Sequence, residues 1–460
     1  MNDFSKESIE NIEEKSFAVG LDIGSSKICG IVLSKNNDET YNVLAISQKP
    51  NFGVQKGEIS NIEDTKKSLF NVISDLKDKL GEECISEVVI GISGRNIEVF
   101  NENSNIAISS VDQIITNEDI NKINRSILQS KVSKEKTIIH IIPYQYYKDN
   151  NNKDLIANPV GYYAKKLDTN VHILTALNDS IKKINLCVES HNLILEDLVY
   201  LPLASSIALL NEDMLDVGVC VIDIGSGTTK ISIFVCGALK FTTTIPFGGD
   251  IITEDIKKVL RTTRNEAERI KIEYGFALKN EILDNEIIQI KGIGVAPHFE
   301  IDKLQLCDII QPRVTELLNF CKDEIEKSEC SNLIGAGYIL TGGTANLRAI
   351  CDLASNVFNA PVGIGHPSSD VIIGISNDIE DPSYSAVVGL ALHSLTPKSF
   401  VGETLKTLSK LDTKVKSYTN IINKRNDEHN TSENPTKDDT TTYKGTFEKI
   451  KEKILKFFEG

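Results

Sequence analysis

The sequence predicts an α/β fold, with sheets covered by helices, on two observations. Runs of strand type and helix type alternate along the chain until about residue 397. Within that stretch the tetrapeptide Asp-Ile-Gly-Ser occurs twice, as Asp22-Ile23-Gly24-Ser25 and as Asp223-Ile224-Gly225-Ser226. Each copy lies between apolar runs, Phe17 to Leu21 and Ile28 to Val32 around the first, Val219 to Ile222 and Ile231 to Val235 around the second. The pattern reads as one strand-turn-strand device used twice.

Such a turn suits an anion. Its small residues let the backbone approach a phosphate and leave consecutive N–H groups free to wrap it, while the Asp can hold a hydrated metal. Two of them facing each other across a cleft would clamp a nucleotide's phosphates. A single copy is also ordinary tight-turn chemistry, so its weight comes from repetition and context. The second copy continues as Gly227-Thr228-Thr229, and two more glycine turns follow, Phe247-Gly248-Gly249-Asp250 and Leu340-Thr341-Gly342-Gly343-Thr344. None matches a P-loop or a Rossmann fingerprint.

The covering helices show by their spacing. After Asn61, a plausible N-cap, Leu69, Val72, Ile73, Leu76 and Leu80 recur on one face and lead to the strand Val88-Val89-Ile90. A second helix after Asp179 and Ser180 presents Ile181, Ile184, Cys187 and Val188. From Lys398 to Thr442 the chain turns rich in Lys, Asp, Asn and Thr, which predicts a disordered linker reaching roughly 35–40 Å.

Order is expected again over 443–460. Phe447, Ile450, Ile454, Leu455, Phe457 and Phe458 project within an arc of about 160°, with Lys449, Lys453 and Lys456 off it. The segment carries five Lys and three Glu, a net +2 inside a chain of −15. Charge and amphipathicity suit a helix lying in an anionic membrane surface. Docking onto the protein's own body or a partner is the alternative, and the long tether favours the membrane.

Composition excludes other classes. With 50 Lys and Arg against 65 Asp and Glu, the chain lacks the basic footprint that nucleic acid requires. Nine Cys without CxxC spacing point to a reducing compartment, and seven His form no ligand-spaced cluster, so no zinc site is expected. No apolar run has transmembrane length, and residues 1–16 read as an acidic tail, not a signal peptide.

The order of these motifs resembles the actin/Hsp70/sugar-kinase superfamily. A first phosphate hairpin (20–32), a second (219–235), an adenosine turn (337–350) and a small-residue helix (385–392) succeed one another in the family order. Within it the chain is most similar to FtsA, the bacterial division family that ties FtsZ to the membrane. The resemblance rests on Gly20 to Lys27, Gly91-Ile92-Ser93-Gly94, His140-Ile141-Ile142-Pro143 with Tyr146, and Asn158-Pro159-Val160-Gly161. It continues through Pro202-Leu203-Ala204-Ser205-Ser206 and Ala267-Glu268 with Lys271, Tyr274 and Gly275.

That likeness implies an actin-like two-lobed ATPase fold with an FtsA-type small α/β subdomain, a disordered linker and a C-terminal amphipathic helix. Residues 17–89 and 172–200 would form the first large subdomain, 90–171 the interaction subdomain, and 201–250 with 332–397 the second large one. Residues 251–331 would form the second small subdomain, 398–442 the linker and 443–460 the membrane helix. ATP and magnesium are the implied cofactors, with Asp22 and Asp223 facing the metal through water. Gly24, Ser25, Ser26 and Lys27 would meet the phosphates, and Gly225, Ser226, Gly227 and Thr228 would close over them, with Gly248 and Gly249 nearby. Glu268 and Lys271 would border ribose and adenine above Gly342, Gly343 and Thr344. At i and i+3, that Glu and Lys are equally a solvated helix pair.

The implied partners are the FtsZ C-terminal tail, further copies in a filament, anionic inner-leaflet lipids, and later division proteins through residues 90–171. Arg313, with Glu316, is the candidate for gripping an acidic tail, a structural ion pair being the alternative. The implied location is peripheral, on the cytoplasmic side of the membrane at the division site. A PilM-like pilus-assembly protein and a phosphotransferase or chaperone-type ATPase are the rival readings. ATP-hydrolysing relatives place a Glu immediately before the Pro matched by Pro202, where this chain has Leu201. Lys230 likewise stands where the second hairpin commonly has an acid. No catalytic residue is therefore assigned, and slow or negligible turnover is expected. His140 and His172, both amid apolar residues, read as core histidines.

Overall fold

The computed structural model describes residues 17–411, apart from 82–84, 130–131, 150–155, 157, 295–296, 369–370, 374–378 and 398. Two large sheets carry the two hairpins. The first has six strands in the order Ile194–Tyr200, Glu87–Ile92, Phe17–Ile23, Lys27–Lys35, Tyr41–Pro50 and Ile372–Ile373. Its hairpin is antiparallel and in register from Phe17↔Ser34 to Ile23↔Ile28. The helix Ile62–Leu80 covers it, burying Leu69, Val72, Ile73 and Leu76 as their spacing predicts. Asn61 caps this helix by accepting the N–H groups of Glu63 and Asp64.

The second sheet has five strands, ordered Ala238–Ile245, Thr229–Val235, Val219–Ile224, Tyr338–Thr341 and Val362–Ile364. Its hairpin runs in register from Val219↔Phe234 to Ile224↔Thr229. In both hairpins the Asp lies on the strand, opposite Cys29 in the first and Lys230 in the second. A second small unit follows, with helices Asp250–Leu260 and Arg264–Tyr274, a two-stranded sheet, and the long helix Lys303–Lys327.

Between the large sheets, the helices Leu201–Leu209 and Ser385–Leu395 cross almost without a gap. A Cβ on Gly389 would lie 1.7 Å from the Ala204 carbonyl oxygen, and one on Gly20 would lie 2.6 Å from that of Val387. Glycine at these two points lets the helices and the first hairpin close on one another.

The inserted unit is a four-stranded antiparallel sheet, ordered Glu403–Thr404, Lys136–Lys148, Lys166–Leu177 and Glu98–Ala107. Its expected limits of 90–171 shift at both ends. Residues 90–92 complete a strand of the first large sheet, and the strand Lys166–Leu177 continues past 171. The edge strand Glu403–Thr404 corrects a larger expectation, that the chain from 398 onward is linker. Residues Glu403 and Thr404 pair with Ile141 and His140, and the helix Leu405–Leu411 follows. Phe400, Val401, Leu405 and Leu408 are buried. Four apolar residues at the head of a long polar stretch vanish in its average composition, yet they suffice to dock its first turns.

Residues 1–16, the remaining linker 412–442 and the amphipathic segment with Phe447, Ile450, Ile454, Leu455, Phe457 and Phe458 lie outside the described residues. Among the described residues no helix is long and apolar enough to cross a membrane.

Candidate functional site

The two Asp-Ile-Gly-Ser turns face one cleft of about 490 Å³ between the large sheets. They are built alike. The Gly24 N–H donates to the Lys27 carbonyl at 3.0 Å, and the Gly225 N–H to the Thr228 carbonyl at 3.0 Å. Gly227 lets the turns meet, because a Cβ there would lie 2.6 Å from Ser25 Oγ. Gly342 to Thr344 form the third side. A Cβ on Gly342, whose φ is +85°, would lie 2.4 Å from Asp223 Oδ1, so this turn too demands glycine.

Of the residues expected at a nucleotide, Gly24 to Lys27, Gly225 to Thr228, Gly342 to Thr344, Glu268 and Lys271 all line this cleft, as do Asp22 and Asp223. Gly248 and Gly249 do not. The Gly249 N–H donates to the Gly225 carbonyl at 2.9 Å, and a Cβ on Gly248 would lie 2.3 Å from the same oxygen. This pair therefore braces the second turn from behind. Glu268 and Lys271 form an ion pair of 2.8 Å that is tied inward, since Lys271 Nζ also donates to Thr253 Oγ1 at 2.9 Å. It is more than a solvated helix pair, and it borders the cleft.

Several lining residues carried no sequence signal, among them Gln48, Asn346, Asp381, Ser383 and Tyr384. Lys27 Nζ donates to Gln48 Oε1 at 2.9 Å and to Ser383 Oγ at 3.0 Å, and lies over the Tyr384 ring. Asp381 accepts from Asn346 Nδ2 at 2.9 Å and from the Ser383 N–H at 2.7 Å. The tripeptide Asp381-Pro382-Ser383, a turn-forming run just before the small-residue helix, is the signal that could have found them.

The two carboxylates differ. Asp22 is half-buried with its Oδ1 sealed from solvent, and this desolvation more than any neighbouring charge pushes its pKa up. Among the described residues nothing donates to its Oδ1. In Asp223 one oxygen is already engaged, Oδ2 accepting from Ser205 Oγ at 2.8 Å and from Lys230 Nζ at 3.2 Å. An orphaned carboxylate oxygen suits magnesium, whereas one held by a hydroxyl and an ammonium does not. As a pair, Asp22 and Asp223 fit a shared metal poorly, because the Lys230 ammonium already sits against one of the carboxylates. Among the described residues no cluster of three or more His, Cys, Asp or Glu side chains could hold one.

Leu201 also lines the cleft, packed against Gly91 where a Cβ would come within 2.1 Å of its Cδ2. It brings only hydrocarbon. His140 and His172 lie away from the cleft in the core, as expected. The Tyr200 N–H donates to His140 Nε2, and His172 bonds the Leu239 carbonyl and Asn101. Arg313 is occupied within the chain, by Asp255 and Glu316. Glu316 also lines a separate groove of about 820 Å³ along the long helix, with Lys279, Asp308, Gln311 and Phe320.

Comparison with known proteins places this architecture. A family model described as "Cell division protein FtsA" matches residues 220–389, and one described as "SHS2 domain inserted in FTSA" matches residues 94–175. The cell division protein FtsA of Pseudomonas aeruginosa is 32% identical over 389 residues, covering 85% of this chain and 92% of its own. Among solved structures, the PilM-PilN type IV pilus biogenesis complex matches with a TM-score of 0.60 at 15% identity, over 84% of this chain and 100% of that one. MreB5 of Spiroplasma citri bound to ADP matches with a TM-score of 0.52 at 15% identity, over 84% and 98%. The fold is thus the actin-like one with the inserted α/β subdomain, and the chain belongs to the FtsA family of cell division proteins.

Proposed function

We propose that the chain binds ATP in the cleft, assembles into filaments, and tethers FtsZ filaments to the cytoplasmic face of the membrane at the division septum. One observation carries the nucleotide reading. Turns from both lobes, at Gly24–Lys27, Gly225–Thr228 and Gly342–Thr344, converge on a single cleft whose backbone and Lys27 can meet a polyphosphate. A ligand spanning both lobes would fix their relative position, which is what a nucleotide-dependent assembly switch requires.

Turnover is slow in this reading. Leu201 can neither orient nor deprotonate water, and general-base help is worth roughly 10²- to 10⁴-fold. The acidic FtsZ tail is received by the second small subdomain, where Arg313 and Arg264 line one pocket as the candidate cationic contacts. The amphipathic segment 443–460 supplies the membrane contact, and a filament multiplies its modest affinity.

The test is sedimentation with anionic liposomes, with and without ATP, comparing the full chain with one ending at Thr442, alongside calorimetric titration with ATP. ATP should bind and promote pelleting of the full chain only. Equal pelleting of the shortened chain would remove the membrane role, and hydrolysis at many per second would remove the slow-turnover reading.

A further inference from the structure

The two hairpins, alike in backbone, differ at the residue opposite the aspartate. In the first, Asp22 faces Cys29, whose thiol is buried and therefore uncharged, its pKa pushed up to about 12. In the second, Asp223 faces Lys230. Directly opposed side chains of an antiparallel pair share one face of the sheet, so the Lys230 ammonium is delivered to Asp223 by register alone. The resulting ion pair is 3.2 Å long, with both side chains under 10% exposed at 8% and 7%.

The position of that ammonium matters. Lys230 lines the cleft together with Asp22 and Asp223. Its Nζ lies 3.8 Å from where a Cβ on Gly225 would be, directly under the second turn. A cation at this point neutralises Asp223 and stands beneath the backbone that would wrap the phosphates. Magnesium holds several waters in octahedral order, and its double charge would have to settle beside an ammonium already bonded to Oδ2 of one of the two carboxylates.

We propose that Lys230 takes the divalent cation's place, so that the cleft accepts the metal-free form of a nucleoside polyphosphate. This inference rests on the nucleotide reading above. An ammonium is a compact point charge with three donors, able to bond Asp223 and a phosphate oxygen together. Lys27 supplies a second cation from the first hairpin, 3.0 Å from Ser383 Oγ across the cleft. Together the two ammonium groups offset Asp22 and Asp223, leaving backbone N–H groups to face the anion.

The experiment is equilibrium titration of the full chain with ATP in excess magnesium and in excess EDTA, for the unaltered protein, Lys230→Met and Lys230→Arg. Binding to the unaltered protein should change by less than about threefold on chelation, under 1 kcal/mol. Lys230→Met should become metal-dependent, losing roughly thirtyfold or more in EDTA, whereas Lys230→Arg should remain insensitive to the chelator. Should Lys230→Met fail to fold in a thermal melt, the unaltered protein and Lys230→Arg still decide the matter. Binding to the unaltered protein only with magnesium overturns this inference and leaves the nucleotide reading standing. Binding in neither condition overturns both.

Discussion

The backbone N–H of Tyr200 donates to Nε2 of His140 at 3.0 Å, joining the inserted subdomain to the residue before Leu201. An imidazole can accept at Nε2 only while it is neutral, and burial lowers the His140 pKa from 6.5 to about 4. Burial lowers His172 likewise, from 6.5 to about 4. The unfolded chain therefore takes up these protons near pH 6.5, and the folded chain only near pH 4. Stability is full above pH 6.5 and is lost as the pH falls toward 4, by at most about 3 kcal/mol per histidine. Urea denaturation at several pH values across that window should show the decline, and His140→Asn should make it shallower. A flat profile would contradict the neutral-imidazole bond.

At the crossing of the two central helices, Gly389→Ala would drive a methyl group into the Ala204 backbone, 1.7 Å from its oxygen and 2.5 Å from its carbon. Neither atom can rotate away, so the helices must part. One of them carries Leu201 and the Ser205 hydroxyl that bonds Asp223, and the other begins beside Tyr384 in the cleft. Destabilisation of roughly 1–3 kcal/mol, with weaker ATP binding, is the expected outcome. Gly363→Ala is the matched control, since nothing lies within 4 Å of its Cβ position. Equal stability of the two variants would show that the crossing is looser than its geometry implies.

Much of this arrangement is legible in the sequence, for identifiable reasons. The hairpins and the Asn61-capped helix follow from period and punctuation, which are local. Asp22 and Asp223 stand out because their tetrapeptide repeats. Hairpin register implies the bond from Lys230 to Asp223, yet in the sequence Lys230 stands out only as an unusual residue. Gln48 and Ser383 are harder to read, because they reach Lys27 from the neighbouring strand and from more than 300 residues away, and only the turn-forming Asp381-Pro382-Ser383 leaves a local trace. Gly248 and Gly249 brace the second turn, which the sequence hides for a related reason. A glycine that admits a ligand and one that admits another backbone look the same in sequence.

Arg313 offers a prediction in two directions. It is held by Asp255 and Glu316, so an acidic tail must compete with carboxylates of the same chain. Arg313→Glu should abolish binding of an FtsZ-tail peptide, but it also sets three carboxylates together and should lower the melting temperature. The informative variant is Asp255→Asn with Glu316→Gln, which releases the guanidinium without removing it. Peptide affinity should then rise several-fold, as expected where a bidentate donor is freed from internal partners. Fluorescence anisotropy with a labelled tail peptide measures this, and a fall in affinity would mean that Glu316 itself contacts the peptide.

The segment after residue 398 gives the last prediction. Leu408 is fully buried, and the helix that carries it meets the inserted sheet and the strand Ile194–Tyr200. Lys406 on the same helix pairs with Glu196 at 2.9 Å, and its backbone N–H donates to Asp197 Oδ1 at 3.2 Å. The Asp197 carboxylate also pairs with His393 at 3.1 Å, so the helix Ser385–Leu395 shares this anchor. Leu408→Ala should cost about 2–5 kcal/mol, the range for emptying a buried leucine site. Lys406→Ala should cost less than about 1 kcal/mol, because its ammonium is half exposed. Were residues 399–411 part of a free tether, neither change would move the thermal melt. A large effect of the leucine beside a small effect of the lysine therefore distinguishes a docked helix from a linker.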